Sequence, residues 1–238
     1  MISSITKSTA LTISGIALGS FTSQAATIVW GAATAISTGV GNSSDVSTNG
    51  TVVEAFNAVA NDQIGAATNI TVNGVTFTPT TSLLGGDPRN AGASDFSSTT
   101  NGGDATYDQL VSTLEYGGGG GLVTLSVGNG LLASNSTYEI QVWFSDTRAA
   151  QDTRVMTFGD GSGNDVLLND AYSIGTFTAD GTSQTLTLNS EGAPGPNFGQ
   201  AHINAYQIRL TSVPEPSSIL LSGLAGLSLL ARRRRSYS

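Results

Sequence analysis

The stretch "YEIQVWFSD", residues 138 to 146, decides the fold. Polar Glu139 and Gln141 alternate with Tyr138, Ile140 and Val142, a period of two that a strand satisfies and a helix does not. Trp143 alternates with Val142 and Phe144, so one face of this strand is core, and the indole is either buried there or set out as a stacking platform. Similar segments recur on both sides. "TIVWG" (27–31), "TVVEAF" (51–56), "NITVNGVTFTP" (69–79) and "LVTLSVG" (122–128) precede it, and "RVMTFGD" (154–160), "DVLLN", "SIGTFTAD", "QTLTLNS" and "INAYQIRLT" follow. Asn73 and Gly74 stand between "ITV" and "VTF" as a type I′ hairpin turn. About ten strands with turn signals between them predict an all-β chain, a β-sandwich or jelly roll. One short helix interrupts: Tyr107, Leu110, Val111 and Leu114 recur at helical spacing, with Thr106 and Gln109 as a capping-box pair. The five glycines 117 to 121 read as a connector, because no phosphate-loop lysine follows them.

Composition agrees. Glycine, serine and threonine stand at 30 each among 238 residues, and charged residues make up only 11%, a turn-rich and hydroxyl-rich chain. Cysteine is absent, which excludes disulfides, thiolate metal sites and cysteine nucleophiles. The net charge of −8 conceals an uneven distribution: the only lysine is Lys7 and four of the eight arginines are Arg232, Arg233, Arg234 and Arg235. Between residues 26 and 212, sixteen carboxylates face four arginines, a net of −12. Such a surface repels phosphate backbones, so nucleic acid is not an expected partner.

Both ends read as addresses. Lys7, the apolar stretch in "ALTISGIALGSF" and the small residues Ser23 and Ala25 form a signal peptide over residues 1–25, with the cut before Ala26. At the other end, "VPEPSS" (213–218) precedes an apolar run from Ile219 to Ala231 and then the four arginines. Thirteen helical residues span about 20 Å, short for a bilayer core of roughly 30 Å. The arginines would hold that end at the cytoplasmic face. Residues 26–212 are left as one β-sandwich domain and 213–238 as a sorting and anchoring segment with a transmembrane helix.

The tail resembles the PEP-CTERM sorting signal of exported bacterial proteins, in Pro214, Glu215 and Pro216, in the apolar run, and in the arginines 232–235. The resemblance implies the general secretion machinery and an exosortase as partners, transient anchoring in the inner membrane of a Gram-negative bacterium, and delivery to the cell surface or an extracellular polysaccharide matrix. The body is similar to galactose-binding-like and other carbohydrate-binding jelly-roll modules. That likeness rests on "DVSTNGT" (45–51), "TVNGVTFT" (71–78), "YEIQVWFSDTR" (138–148), "IGTFTADGTSQTLTL" (174–188) and "INAYQIR" (203–209). It implies a carbohydrate ligand without naming one.

No catalytic constellation stands out. His202 is the single imidazole, placed before "INAYQIR" as a surface loop residue, and no G-x-S-x-G is present. Asp146, Asp152, Asp160 and Asp165 fall near strand ends, but a glycosidase is defined by a carboxylate separation that sequence does not set. "DGSGND" offers Asp160, Ser162 and Asn164 at calcium-loop spacing. It departs from an EF-hand at Asp165 and Ala171, so a hairpin turn explains it better and no cofactor is required. A sugar site would draw on Trp143, Asp146, Arg148, Asn204 and Tyr206. The leading expectation is a non-catalytic, exported, exosortase-processed surface or matrix protein that binds polysaccharide. The alternatives are a structural matrix protein without a specific ligand and, behind it, a secreted carbohydrate-active enzyme.

Overall fold

A computed structural model describes residues 25–37, 39–58, 68–80, 83–84, 87–90, 104–117, 122–146, 154–191 and 200–213. Its elements run in the order β1 (Val29–Trp30), β2 (Thr34–Ala35), a 3-10 turn (Asn42–Asp45), β3 (Thr51–Ala58), β4 (Ile70–Val72), β5 (Val75–Thr80), β6 (Asp87–Asn90) and α1 (Ala105–Ser112). They continue as β7 (Thr113–Gly117), β8 (Val123–Val127), β9 (Thr137–Phe144), β10 (Val155–Gly159), β11 (Asp165–Leu168), β12 (Ala171–Thr178), β13 (Gln184–Glu191), β14 (Ala201–Ile203) and β15 (Ala205–Ser212).

The fold is the β-sandwich the alternation predicts. The large sheet has the order β1-β12-β9-β15-β3-β5-β4, with β2 also pairing β12, and faces a four-stranded sheet β11-β10-β13-β8 and a three-stranded one β14-β7-β6. Among the described residues only β3 and β5 pair in parallel, and the other ladders are antiparallel. The hairpin between β4 and β5 turns at Asn73 (φ 48°) and Gly74 (φ 76°), the left-handed pair that a type I′ turn requires.

β9 lies at the centre of the large sheet, and both of its faces are covered. Tyr138, Ile140, Val142 and Phe144 point into the main core with Met156, Phe158, Leu186 and Leu188 of the opposing sheet. Trp143 points the other way, into a second apolar cluster built from Phe77, Tyr107, Leu110, Val111 and Ala205. That second cluster roofs the back of the large sheet with α1 and the β4–β5 hairpin. Each fully buried aliphatic side chain here contributes roughly 1.5–3 kcal/mol, so truncating Ile140 or Leu110 removes a sizeable part of a domain's net stability.

The helix differs from its sequence pattern at both ends. Its cap is Asp104, whose carboxylate accepts from Thr106 N at 2.9 Å and from the Thr106 hydroxyl at 2.5 Å, so Thr106 supports the cap and is not itself the cap. Leu114 completes a helical spacing, yet the chain has already turned into β7 at Thr113. The Thr113 hydroxyl lies 2.8 Å from Asn57 Oδ1, which ties that switch to β3.

Candidate functional site

The large sheet has two rims, about 23 Å apart along β9. At one rim Ser212 pairs with Thr137, and Thr137 with Thr178. At the other, β9 runs out at Ser145 and Asp146, beside the start of β15.

Four of the five residues expected to form a sugar site are described, and all four are buried. Trp143 has no exposed surface and meets Phe77 edge-on, ring centroids 5.8 Å apart at 79°. The Tyr206 hydroxyl donates to Glu54 Oε1 at 3.0 Å, and the same oxygen accepts from Gly128 N at 2.5 Å. Asn204 is a clamp: its Nδ2 donates to the carbonyls of Val111, Thr113 and Ser145 at 2.7–3.2 Å, while its Oδ1 accepts from Ser145 N at 2.7 Å. Asp146 pairs with Arg154 inside the rim. These side chains hold the layers together instead of lining a surface, because β9 and β15 carry neighbours on both faces. Arg148 lies outside the described residues, as do Pro214, Glu215, Pro216 and Arg232, Arg233, Arg234 and Arg235.

His202 is not a surface loop residue. It belongs to β14, is 2% exposed, and stacks on Tyr116 with ring centroids 5.7 Å apart. Arg154 NH1 lies 2.7 Å from His202 Nε2 and 2.7 Å from Asp146 Oδ2. A guanidinium only donates, so Nε2 accepts, and Nδ1 carries the ring proton toward Gln200 O at 2.6 Å. The imidazole lone pair that a general base would use is therefore already engaged. The geometry suits a structural cross-link between β9, β10 and β14.

The "DGSGND" loop joins β10 to β11, and Asp160 is its staple. Oδ1 accepts from Ser162 N at 2.7 Å and from the Ser162 hydroxyl at 2.5 Å, and Oδ2 accepts from Ile28 N at 2.7 Å. Burial alone would raise the Asp160 carboxyl, but the Ser162 hydroxyl and the amides of Ile28 and Ser162 outweigh it and hold the group below its ordinary value. Asn164 donates to Ser162 Oγ at 3.3 Å, so the three candidate calcium ligands bond to protein groups and to one another. Among the described residues there is no cluster of three His, Cys, Asp or Glu side chains suited to a metal ion.

The sequence pattern did not single out the polar sheet back that fixes residues 45–50. Gln141 Nε2 donates to Asp45 O at 2.6 Å, and its Oε1 accepts from Ser47 N at 2.9 Å and Gln207 Nε2 at 2.8 Å. Arg209 grips three consecutive carbonyls, those of Thr48, Asn49 and Gly50, at 2.6–2.9 Å. Burial lowers the Arg209 pKa, partly offset by Glu139, its neighbour on β9. Gly50 has φ 74°, and a Cβ there would collide with Leu210 O, so this crossing point requires glycine. The signal was present in the period-two positions 139, 141, 207 and 209, which are all polar.

An open groove of about 460 Å³ lies over β1, the end of β12 and the start of β9. Thr137, Thr176 and Thr178 supply its hydroxyl-bearing wall, Val29 its exposed apolar wall, and Asp180 a carboxylate. Ala26 closes one side.

Residues 212–235 match the PEP-CTERM protein-sorting motif. The motif marks the chain as an exported protein that an exosortase recognises and processes, and it begins at the last residue of β15. No curated protein matches the sequence. Among solved structures, the chain is similar to the plant receptor-like kinase ANX2, with 14% identity and a TM-score of 0.43, covering 70% of this chain and 51% of that one. It is also similar to the ANX2 ectodomain from Arabidopsis thaliana (14% identity, TM-score 0.42, 69% and 53%) and to a Bacteroides uniformis beta-glucuronidase (14%, 0.37, 74% and 19%). The chain spans about half the length of the ANX2 chains. Among the described residues no helix is long and apolar enough to cross a membrane, and the run 219–231 lies outside them.

Proposed function

We propose that the processed chain is a non-catalytic protein of the cell surface or extracellular matrix, and that the groove over β1, β12 and β9 binds polysaccharide. The observation that carries this is the junction at Ser212. The last strand of the sandwich ends where the sorting motif begins, so removal of the tail leaves every strand in place. In this account residues 219–231 anchor the precursor in the inner membrane, with arginines 232–235 on its cytoplasmic side, until the exosortase acts at 214–216. The threonine wall offers paired donors and acceptors to sugar hydroxyls. The non-catalytic part of the proposal rests on His202 and Asp160, whose reactive atoms already have protein partners.

A second reading, a matrix protein without a specific ligand, draws support from the surface itself. Among the described residues the large exposed hydrophobic side chains are all valine or leucine, so no aromatic platform for stacking a sugar ring is exposed. A glycan array probed with the exported protein separates the two. Binding that falls when Thr176 and Thr178 are both changed to Val supports the groove; an array without a hit supports the ligand-free role. Release of new reducing ends from a bound glycan would sink both.

A further inference from the structure

Ala26, the residue that the expected cut would expose, is held at both its N–H and its carbonyl by one side chain. Gln184, 1% exposed, turns both ends of its amide on it: Oε1 accepts from Ala26 N at 3.1 Å and Nε2 donates to Ala26 O at 2.7 Å. Two residues on, fully buried Ile28 enters the main core while its N–H is held by Asp160 Oδ2 at 2.7 Å. Ala26 and Ile28 are thus fastened by two side chains from the opposing sheet and its loop.

We propose that this seat is a binding site for the chain's own α-ammonium, formed when the leader is cut between Ala25 and Ala26. The proposal rests on export and on that position of the cut. In the hydrolysis, water adds to the Ala25 carbonyl carbon and the bond to the Ala26 nitrogen breaks. Ala25 departs as a carboxylate, and the Ala26 nitrogen gains the protons that make it an ammonium. A leader-removing hydrolase of the secretion route and water are the only co-reactants.

The uncut chain brings one N–H to Gln184 Oε1. The cut chain brings three N–H groups and a positive charge to the same place, where the groove opens. Two carboxylates stand at the segment among the described residues, exposed Asp180 in the groove wall and Asp160 at Ile28. The body's net charge of −12 adds a field of the same sign. Cleavage therefore exchanges a neutral amide for a cation in an acidic setting, and the mature sandwich becomes more stable than one whose N-terminus is blocked.

The composition provides a clean probe. Lys7 is the only lysine and is lost with the leader, so the mature protein carries one primary amine. Protein recovered from the cell surface is first weighed intact, which reads the N-terminal residue and the state of the tail together. The rate of its acetylation is then followed against pH, in the native protein and in Gln184→Ala and Asp180→Asn. The amine is expected to titrate above the usual 7.7–8.0 or so, and to move down in both variants. Asp180→Asn, on an exposed side chain, keeps the test open where Gln184→Ala does not fold. The N-acetylated protein should melt about 2 °C lower at pH 7. A raised amine stabilises the fold below its ordinary value and loses that effect as pH rises through the folded value, so the gap should close by about pH 10. An amine that titrates in the ordinary range in all three proteins overturns the proposal. A first residue other than Ala26 also overturns it, while a tail removed in the same molecules leaves export by the sorting motif standing.

Discussion

Arg154 NH1 and His202 Nε2 lie 2.7 Å apart, with Asp146 Oδ2 at the same distance from the same nitrogen, all three side chains 4% exposed or less. A buried cation is thereby shared between a carboxylate and a neutral ring. Removing one partner of such a pair leaves an uncompensated charge, whereas removing both together costs far less. Arg154→Met is expected to destabilise the fold by about 3–5 kcal/mol, and Arg154→Met with Asp146→Leu by clearly less. Urea unfolding of the two proteins checks it; equal losses would mean the pair is not coupled.

Asn204 bonds three carbonyls and one amide, from the last turn of α1, the start of β7 and Ser145 just past β9. Asn204→Leu keeps the branching of the side chain and removes its bond to each of the four groups. With each unpaired buried group costing about 1–3 kcal/mol, a loss of at least about 3 kcal/mol is expected in the same assay. A surface control such as Thr176→Ser should stay within about 0.5 kcal/mol.

Asp160 sets an acid limit on stability. Its carboxyl is held below the ordinary 3.8 by the Ser162 hydroxyl and the two amides, so the folded state binds the proton more weakly than the unfolded state. That contribution is complete above pH 3.8 and is lost as pH falls through the lower folded value. Melts from pH 6 to pH 2 should show a steeper fall below pH 4 in the native protein than in Asp160→Asn. Because both oxygens are already engaged, melts in calcium and in NaCl of equal ionic strength should coincide.

Sixteen carboxylates against four arginines leave the body self-repelling at neutral pH. Monovalent salt should raise the melting temperature between about 10 mM and 500 mM, as screening shortens from roughly 30 Å toward a few ångströms. A flat response would mean the carboxylates are compensated locally.

The large sheet was legible because β5, β9, β12 and β15 keep period-two alternation, and the Asn73–Gly74 turn carries its own backbone signature. What alternation does not carry is whether a sheet's second face is covered. Glu139, Gln141, Gln207 and Arg209 are polar at period-two positions, yet residues 45–50, about 90 to 160 positions away in sequence, lie across them. The same gap misplaced the candidate site. Trp143 and Tyr206 have the composition of a sugar platform, and only the arrival of α1 and the β4–β5 hairpin, or of the opposing sheet, turns them into core. β7 and β14 were hidden for a local reason: Leu114 fits a helical spacing, and "AHI" is too short to alternate.

In the proposed function an exosortase separates an intact sandwich from its tail just past β15. Intact-mass analysis of the protein from the cell surface checks this step. The expected chain ends near Pro214–Pro216 and lacks residues 219–238. A surface chain that still carries Arg232, Arg233, Arg234 and Arg235 and ends at Ser238 would contradict it.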